Sequence, residues 1–486
     1  MIARRGIVVV LASSLVGLSC SSVGSHQPAR GTVPISPVAA VRATHARYAA
    51  ALSRPVADPY YPAEGTTSVD ALHYGLDLTW DTSTRTLTGV ATILFRATRS
   101  ESAVTLDLER ALQVSRVSVD GHPVSDRQWG HKLRIVTGAL AKDTRHTAVI
   151  RYSGKAHPTA APTTRKDIPD VGWTVQRDGE IWTMQQPYGA FTWYPVNDQP
   201  SDKAFYDITA HSQRAWRTVS NGDLVSTTTT GTTRTMHWRL KSPVSSYLVT
   251  IAIGPYRLYR DTGPHGLPIS YWVRPVDERH LPQLRRTPSM IRWLEARLGR
   301  FPFDRIGTVL VPSDSGMETQ TMVTIGGRAL DEPLYGVSNL VHEYAHQWYG
   351  DEVTPRDWTD MWLNESFAMY LQIEWLISHG GGSRAGWHQL LNQQDQRLRD
   401  RYGPPGRYDP RNFASLNVYY CGARMLYRLR SMLGTTLFGR VLKGWPAAHR
   451  DSNADRGEWV SYLDKKTGRD LRHFVHRWLD SKISPS

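Results

Sequence analysis

The chain has 486 residues, of which 40% are hydrophobic and 21% are charged, and its formal net charge is +14. This length suggests two or three domains with sizeable cores, and the composition excludes a fibrous or wholly disordered chain. The positive charge raises nucleic acid as a partner, but the basic residues are scattered and no nucleic-acid motif is present, so we expect no nucleic-acid binding.

Residues 1–20 have the pattern of an export signal. Arg4 and Arg5 precede the short apolar run IVVVLASSLVGL, and Cys20 follows. This run is too short for a membrane-spanning helix, which predicts a cleaved signal peptide and a location outside the cytoplasm, extracellular or in the cell envelope. The letters V-G-L-S-C also resemble a bacterial lipoprotein box, which predicts possible membrane attachment through a lipidated Cys20. Cleavage without lipidation is the alternative.

The next part of the chain changes from an irregular to an alternating pattern. Residues 21–60 are rich in Ala, Pro, Arg and Ser without sustained periodicity, which predicts a disordered tether. From Val69 onward, short alternating segments such as LHYGLDLTW and LTGVATILFRA are separated by turn residues. This spacing predicts an N-terminal all-β domain, a sandwich or saddle, over residues 61–258. Residues 155–170 form a polar, proline-containing loop inside it.

The composition shifts toward helix after Tyr259. Residues 288–298 and 418–433 are amphipathic, and the segment FPFDRIGTVLVPS predicts one strand between them. We therefore expect residues 259–486 to form a second, mainly α-helical domain, which makes the fold class α+β and multidomain.

The stretch from Val337 to Trp348 predicts a helix that carries a metal motif. Two histidines four residues apart, His342 and His346, lie one turn above the other on the same helix face. Glu343 stands between them in the sequence H-E-Y-A-H. This arrangement lets two imidazoles bind one zinc ion while the glutamate acts as general base.

A second helix supplies a candidate third ligand, Glu365. The residue falls among apolar residues that predict a buried flank, Met361, Trp362, Ala368 and Met369. An unpaired carboxylate in apolar surroundings costs several kcal/mol, and a zinc ion on His342 and His346 would be its partner. The alternative is a surface glutamate or one paired with an arginine.

H-E-Y-A-H, then eighteen residues, then Glu within W-L-N-E-S-F-A resembles the M1 family of zinc aminopeptidases, the gluzincins that include aminopeptidase N and leukotriene A4 hydrolase. Ser366 stands where Gly is common in the family. The resemblance extends to WTMQQPYGAFTWYPVNDQPSDKAFYDIT and covers nearly all of residues 69–440. It implies a thermolysin-like catalytic domain with one Zn²⁺ per chain. It also implies a hydrolase that removes N-terminal residues from peptides with a free N terminus.

The resemblance also implies a catalytic tyrosine. The family pattern V-Y-x-K-G-A corresponds to V-Y-Y-C-G-A here, which puts Tyr419 in the role of oxyanion stabiliser. Cys421 replaces the usual Lys, so the match is partial. Tyr420 is the competing assignment, and a packed tyrosine without a chemical role is the other.

Two further elements imply contacts with substrate. Gly316, Met317 and Glu318 resemble the family's G-x-M-E-N element, an edge segment along which a peptide lies, with Thr319 in place of Asn. Glu318 would pair with the α-ammonium group of the substrate. Gln186 corresponds to a second amine-binding residue and brings no charge. A solvated loop glutamate is the alternative for Glu318.

Two other functions remain possible from the sequence. One is a broader zinc peptidase with an open cleft, since the resemblance implies a short form without the helical domain that follows in larger family members. The other is a non-catalytic peptide-binding protein on the same scaffold. No sequence pattern indicates an oligomeric state.

Overall fold

The structure of the protein is a computed structural model that describes residues 47–486. Within it, residues 48–486 form one compact unit. The predicted signal sequence, Cys20 and residues 21–46 of the predicted tether lie outside the described residues. No helix of the described part is both long and apolar enough to cross a membrane.

The first half of the described chain consists mainly of strands, and the long first strand has one covered face. In the strand Val69–Asp81, residues 74, 76, 78 and 80 are buried and those between them are more exposed, the two-residue period of a half-buried strand. The strands of this half are β1 (Val69–Asp81), β2 (Thr86–Ala97), β3 (Glu101–Asp107), β4 (Leu112–Val119), β5 (His122–Pro123), β6 (Asp126–Trp129), β7 (Lys132–Leu140), β8 (Arg145–Gly154), β9 (Thr159–Ala160), β10 (Asp170–Val175), β11 (Ile181–Met184), β12 (Lys203–Gln213), β13 (Arg217–Ser220), β14 (Asp223–Thr230), β15 (Thr233–Ser245) and β16 (Ile251–Gly254).

These strands form three sheets. Their orders are β14-β15-β12-β1-β2-β8-β4-β5, β13-β16-β11-β10-β9 and β3-β7-β6. In the first sheet β1 and β12 run parallel, whereas β1 and β2 run antiparallel. The sheets share one core, in which the rings of Trp80 and Trp173 meet edge to face at 5.5 Å between centroids. The predicted all-β character of this half is confirmed.

The segment before β1 is ordered where the structure describes it, contrary to the predicted tether. The amide of Ser53 donates to Asp70 Oδ1 at 3.0 Å, and the carboxylate of Asp58 accepts from the amide of Trp358 at 2.8 Å. Residues 48–60 thus contact both halves of the protein. The missing periodicity correctly indicated little regular structure, but an irregular segment can still be fixed by side-chain hydrogen bonds.

The second half contains a five-stranded sheet, most of which was not predicted from the sequence. Its order is β17-β18-β19-β21-β20, with β17 (Arg257–Thr262), β18 (Pro268–Val273), β19 (Ile306–Val311), β20 (Gly316–Met317) and β21 (Met322–Gly326). A separate pair joins β22 (Val353–Pro355) to β23 (Ser452–Ala454). We predicted one strand here, β19, and missed β21, which is buried at every position and shows no alternation. The domain boundary at residue 258 stays a prediction.

The helices cover this sheet and one another. They are α1 (Leu281–Leu284), α2 (Thr287–Leu298), α3 (Pro333–Ala345), α4 (Trp362–Ser378), α5 (Arg384–Tyr402), α6 (Leu416–Leu433), α7 (Thr435–Ala448), α8 (Arg456–Thr467) and α9 (Arg472–Asp480). Helix α4 packs against both α3 and α6, and most of its residues are buried. The predicted α+β class, with a β-rich half followed by a mainly helical half, is confirmed.

Buried polar contacts join the two halves. The ammonium group of Lys203, at the start of β12, donates to the carbonyls of Asp351 at 2.8 Å and Glu352 at 3.1 Å. The amide of Asn221 donates to the Gln320 carbonyl at 2.6 Å. Because these bonds are buried, they fix the β half against the strands and helices of the second half.

Candidate metal centre and active site

Helix α3 places both histidines on one buried face. It starts at Pro333, a residue suited to the first helical turn, and Ala345 is its last residue. His346 follows with helical backbone angles, so the four-residue spacing from His342 is preserved. The two imidazole rings lie 4.8 Å apart between centroids. The helix predicted from the H-E-Y-A-H pattern therefore presents the two rings together.

Helix α4 brings Glu365 to the same point. Its Oε2 atom lies 3.1 Å from His342 Nε2 and 3.4 Å from His346 Nε2. One donor atom from each residue lies within 4.8 Å of the other two, and all three residues are buried. The arginine-paired and surface alternatives for Glu365 do not describe this geometry.

A backbone contact orients His346. Its Nδ1 lies 3.0 Å from the carbonyl oxygen of Tyr349, which only an N–H can satisfy. A proton therefore belongs on Nδ1, and Nε2 is the atom of His346 that faces Glu365 and can serve as a metal ligand. An outer partner of this kind is typical of metal-binding histidines.

The charges of the centre fit a bound cation. Burial acts to raise the pKa of Glu365, but His346 and His342 hold it well below its usual range. Burial acts to lower the pKa of His346, yet the carboxylates around it raise that pKa to about 10. Burial raises the pKa of Glu343 to about 8. Buried carboxylates thus outnumber nearby positive groups, and a divalent metal on two imidazoles and one carboxylate matches the ligands that zinc prefers.

Gly316 lies directly against the predicted general base. A Cβ atom built on Gly316 would lie 2.7 Å from Glu343 Oε1. The strand β20 that contains it is the edge strand of its sheet, as predicted for a segment along which a peptide lies. Met317 is buried, and its sulfur accepts a hydrogen bond from the backbone amide of Gln185 at 3.4 Å. A bound peptide would therefore contact Met317 chiefly through its backbone.

The two predicted amine-binding residues meet across the halves of the protein. Gln186 Nε2 donates to Glu318 Oε1 at 2.8 Å. Glu318 is buried, and Gln347 donates to its carbonyl at 2.9 Å. The alternative of a solvated loop glutamate is therefore excluded for Glu318. Burial raises the pKa of Glu318. A cationic partner would therefore stabilise the ionised form of this carboxylate.

Tyr419, rather than Tyr420, faces the histidines. It lies in the first turn of α6, and its ring stacks on that of His342 with 5.9 Å between centroids and 22° between planes. Its hydroxyl oxygen accepts from Arg165 Nη1 at 3.3 Å. Tyr420 is half-buried and packs on the hydrophobic core of the second half. The geometry favours the assignment predicted from V-Y-Y-C-G-A.

The predicted site residues line one cavity of about 790 Å³. The cavity also holds a residue that the sequence did not single out, Arg165 from the loop over residues 155–170. One arginine in a polar loop carries no spacing pattern, and its position depends on how the two halves meet. The predicted site residues that share the cavity are Gln186, Gly316, Met317, Glu318, His342, Glu343, His346, Glu365 and Tyr419.

Another group with metal-ligand spacing lies in the β half. Glu64, Asp107 and His131 offer three donor atoms within 4.8 Å. Lys132 already forms a close ion pair with Asp107, and two backbone amides donate to the same carboxylate. A cation is therefore supplied there by the chain itself, which makes an ion-pair network the better description.

The fold and the site define a class: a two-part α+β protein with a buried centre of two histidines and one glutamate. The family model for the peptidase family M1 domain matches residues 283–478, and the model for the peptidase M1 N-terminal domain matches residues 70–248. The chain belongs to peptidase family M1, and the resemblance noted in its motifs is confirmed.

Curated relatives are similar over most of this chain. Aminopeptidase N of Streptomyces lividans is 24% identical over 445 residues, which are 85% of this chain and 50% of that protein. Aminopeptidase 2 of Candida albicans is 24% identical, with 85% of this chain and 47% of that protein covered. This chain therefore spans about half the length of the curated relatives that it matches.

Solved structures share the fold over nearly their whole length. The M1 zinc metallopeptidase from Deinococcus radiodurans has a TM-score of 0.77 and 22% identity, with 89% of this chain and 98% of that chain covered. A mutant of that enzyme bound to a Tyr-Ser-Ala substrate has the same TM-score and identity, with 89% and 99% covered. At this identity, the likeness establishes the fold alone.

Proposed function

We propose that this protein is a zinc-dependent aminopeptidase, which hydrolyses the first peptide bond of substrates with a free N terminus. The observation that carries the proposal is the meeting of His342, His346 and Glu365 with a buried acid, Glu318, in one cavity. Membership of peptidase family M1 and the peptide bound to the Deinococcus radiodurans mutant support peptides as the substrate class.

His342, His346 and Glu365 would hold one Zn²⁺ per chain. A bound zinc ion acts as a Lewis acid that polarises a carbonyl group and lowers the pKa of water. The partner of His346 Nδ1, the Tyr349 carbonyl, keeps Nε2 free as a ligand atom. Elemental analysis of the purified protein tests the stoichiometry, with one equivalent of zinc as the expected result.

Glu343 is the proposed general base. It follows His342 on α3, and its carboxylate points to the backbone of Gly316 on the edge strand. From there it accepts a proton from the attacking water and transfers it to the nitrogen of the departing amine. The edge strand offers free backbone groups that fix an extended peptide beside this carboxylate.

Glu318 and Gln186 select the free N terminus. The buried Glu318 carboxylate is an acceptor for the α-ammonium group of a substrate. Gln186 uses its amide nitrogen to donate to Glu318, which leaves its amide oxygen as a second acceptor. With one carboxylate rather than two, the amine is held by a single full charge, so the affinity for it is moderate.

Tyr419 supplies the remaining function. Its hydroxyl donates a hydrogen bond to the oxygen that becomes negative when the carbonyl is attacked, and such donors stabilise the transition state more than the substrate. Its stacking on His342 fixes the ring beside the ligands.

Hydrolysis of amino-acid p-nitroanilides by the purified protein tests the proposed activity. We expect turnover by the wild-type protein, and its loss after chelation of the metal. A protein that retains zinc and binds peptides without cleaving any of them would favour the non-catalytic peptide-binding alternative. Cuts inside long peptides would favour the broader peptidase with an open cleft.

We also propose that the protein is exported and acts outside the cytoplasm, with possible attachment to the membrane through a lipidated Cys20. The support is the pattern of residues 1–20 in the sequence. Mass spectrometry of the mature N terminus tests both parts. An intact Met1 contradicts export by this signal, and an unmodified N terminus beyond Cys20 contradicts only the lipid anchor.

A further inference from the structure

Arg165 reaches the active site from the β half of the protein. Its loop docks on the segment that leads into α6, where the Phe413 amide donates to the Pro162 carbonyl at 2.9 Å. In the same place Thr163 Oγ1 donates to the Phe413 carbonyl at 2.7 Å. These two hydrogen bonds, one donated by each segment, fix the loop near the N-terminus of helix α6, the helix that carries Tyr419.

The guanidinium group of Arg165 is held in one orientation. Nε and Nη2 donate to the two carboxylate oxygens of Asp167 at 3.2 and 2.5 Å. Nη1 donates at 3.3 Å both to the carbonyl of Ala414 and to the hydroxyl oxygen of Tyr419. Because a bidentate carboxylate fixes the plane of a guanidinium group, Nη1 has little freedom to leave Tyr419.

This contact decides where the Tyr419 proton points. A hydroxyl oxygen that accepts from Arg165 has its own O–H left to donate. The hydrogen bonds of the described residues include no acceptor for that proton, and Tyr419 lines the cavity that also holds Glu343. The proton is therefore available to a group that enters the cavity.

We propose that Arg165 is a positioning residue for Tyr419, a role that rests on the proposed aminopeptidase function. It accepts no proton and contacts no reacting atom. It turns the Tyr419 hydroxyl toward the carbonyl oxygen of the substrate, and by donating to that hydroxyl oxygen it makes the Tyr419 O–H a stronger hydrogen-bond donor. The loop of the β half thereby completes the active site of the helical half.

A double-mutant cycle on Arg165→Gln and Tyr419→Phe tests this role, with the p-nitroanilide that the wild-type protein hydrolyses fastest. We expect Arg165→Gln to lower kcat by roughly 10- to 100-fold, the usual effect of losing an outer-shell partner, with little change in KM. In the Tyr419→Phe protein the same change should lower kcat by less than about threefold, because the group it positions is absent.

Binding of a phosphonate peptide analogue, measured by calorimetry, gives a second readout that needs no turnover. Its tetrahedral oxygens resemble the developing oxyanion, so Arg165→Gln should raise its Kd in the wild-type background and not in the Tyr419→Phe background. Lys155→Gln is the matched control, since it removes one positive charge from the same loop at an exposed position that does not line the cavity. It should leave kcat and Kd unchanged.

The outcomes separate the two proposals. Effects of Arg165→Gln and Tyr419→Phe that multiply, or a raised KM with unchanged kcat, overturn the positioning role and leave the aminopeptidase function intact. A wild-type protein without turnover contradicts the proposed function, and the positioning role falls with it. If Arg165→Gln does not fold, Arg165→Lys replaces it in the cycle under the same criteria.

Discussion

Burial of Glu365 between His342 and His346 costs free energy unless the carboxylate pairs with a cation. The chain supplies two imidazoles at 3.1 and 3.4 Å and no arginine or lysine contact to this carboxylate among the described residues. A metal ion on these three residues would balance the buried charge of Glu365 in place of a protonated imidazole. The two helices already hold the three donor atoms close together, so these side chains would not need to move when a metal binds.

Removal of one ligand should release the metal. We expect Glu365→Ala to weaken zinc binding by more than the roughly 10- to 100-fold that loss of an outer-shell partner costs. Glu343→Gln is the matched control, because it removes a carboxylate that lies in the same cavity but is not a proposed metal ligand. Zinc content after dialysis measures both, and full retention by Glu365→Ala contradicts the ligand assignment.

The general base should be separable from the metal. We expect Glu343→Gln to retain zinc and to lower kcat by roughly 10²- to 10⁴-fold, the range for loss of general acid–base catalysis. The amide has the shape of the carboxylate but accepts no proton. Steady-state kinetics at matched zinc content check this, and a kcat close to wild type would assign the base elsewhere.

Substitution of Gly316 gives a steric test of the position of Glu343. A methyl group there would lie 2.7 Å from Glu343 Oε1, the mobile end of a side chain. We expect Gly316→Ala to fold, to retain zinc and to lower kcat by about 10²-fold, because small displacements of a catalytic group are costly. Gly439→Ala in α7 is the control, since no atom lies within 4 Å of its added methyl group. Equal kcat for both variants contradicts the placement of Glu343.

At the scale of elements, the close approach of α4 and α6 positions Tyr419. Ser366 Oγ donates to the Val418 carbonyl at 2.8 Å, one residue before Tyr419. A Cβ atom on Gly422 would lie 2.5 Å from Ser366 Cβ. Position 366 holds serine where the family usually has glycine. Because position 422 has no side chain, the two helices can still approach closely around that serine.

Gly422→Ala should force the helices apart. We expect a loss of about 1–3 kcal/mol in the free energy of unfolding, the usual cost of overpacking, together with a lower kcat. In a Ser366→Gly background the added methyl group meets no side chain at position 366, so the same substitution should cost less. Urea unfolding of the four proteins measures the difference, and an equal cost in both backgrounds argues against this contact.

The parts of the structure that the sequence predicts are those set by local spacing. His342, Glu343 and His346 lie on one helix, so their relation follows from the helix repeat alone. Glu365 followed from its apolar neighbours in α4. By contrast, Arg165 depends on the docking of a loop about 250 residues away from Tyr419 in the chain. Of the sheet over residues 257–326 the pattern predicted only β19, and β21 was missed because a fully buried strand lacks alternation.

At the scale of the whole molecule, metal binding should stabilise the fold. A ligand that binds only the folded state adds about 2.7 kcal/mol when its free concentration is about a hundredfold above Kd. We therefore expect chelation to lower Tm of the wild-type protein reversibly. Glu365→Ala should show almost no response to zinc or chelator in the same thermal unfolding measurement, whereas an unchanged wild-type Tm contradicts a metal bound by folded protein.

The cavity itself is a property of the whole molecule, since the β half contributes Gln186 and Arg165 and the helical half contributes the metal ligands, Glu318 and Tyr419. A substrate that bridges the halves must satisfy the buried Glu318 carboxylate at one end and the metal centre at the other. A free ammonium group does so, whereas an acetylated N terminus leaves the Glu318 carboxylate with the neutral Gln186 amide and no cationic partner, at a cost of about 1–3 kcal/mol.

Hydrolysis of one peptide with a free and with an acetylated N terminus tests this account most directly. We predict that acetylation lowers kcat/KM by at least about tenfold, that residues leave singly from the N terminus, and that Glu318→Gln narrows the difference between the two peptides. Equal cleavage of both peptides by the wild-type protein, or cuts deep inside the chain, would contradict selection of the free N terminus by Glu318.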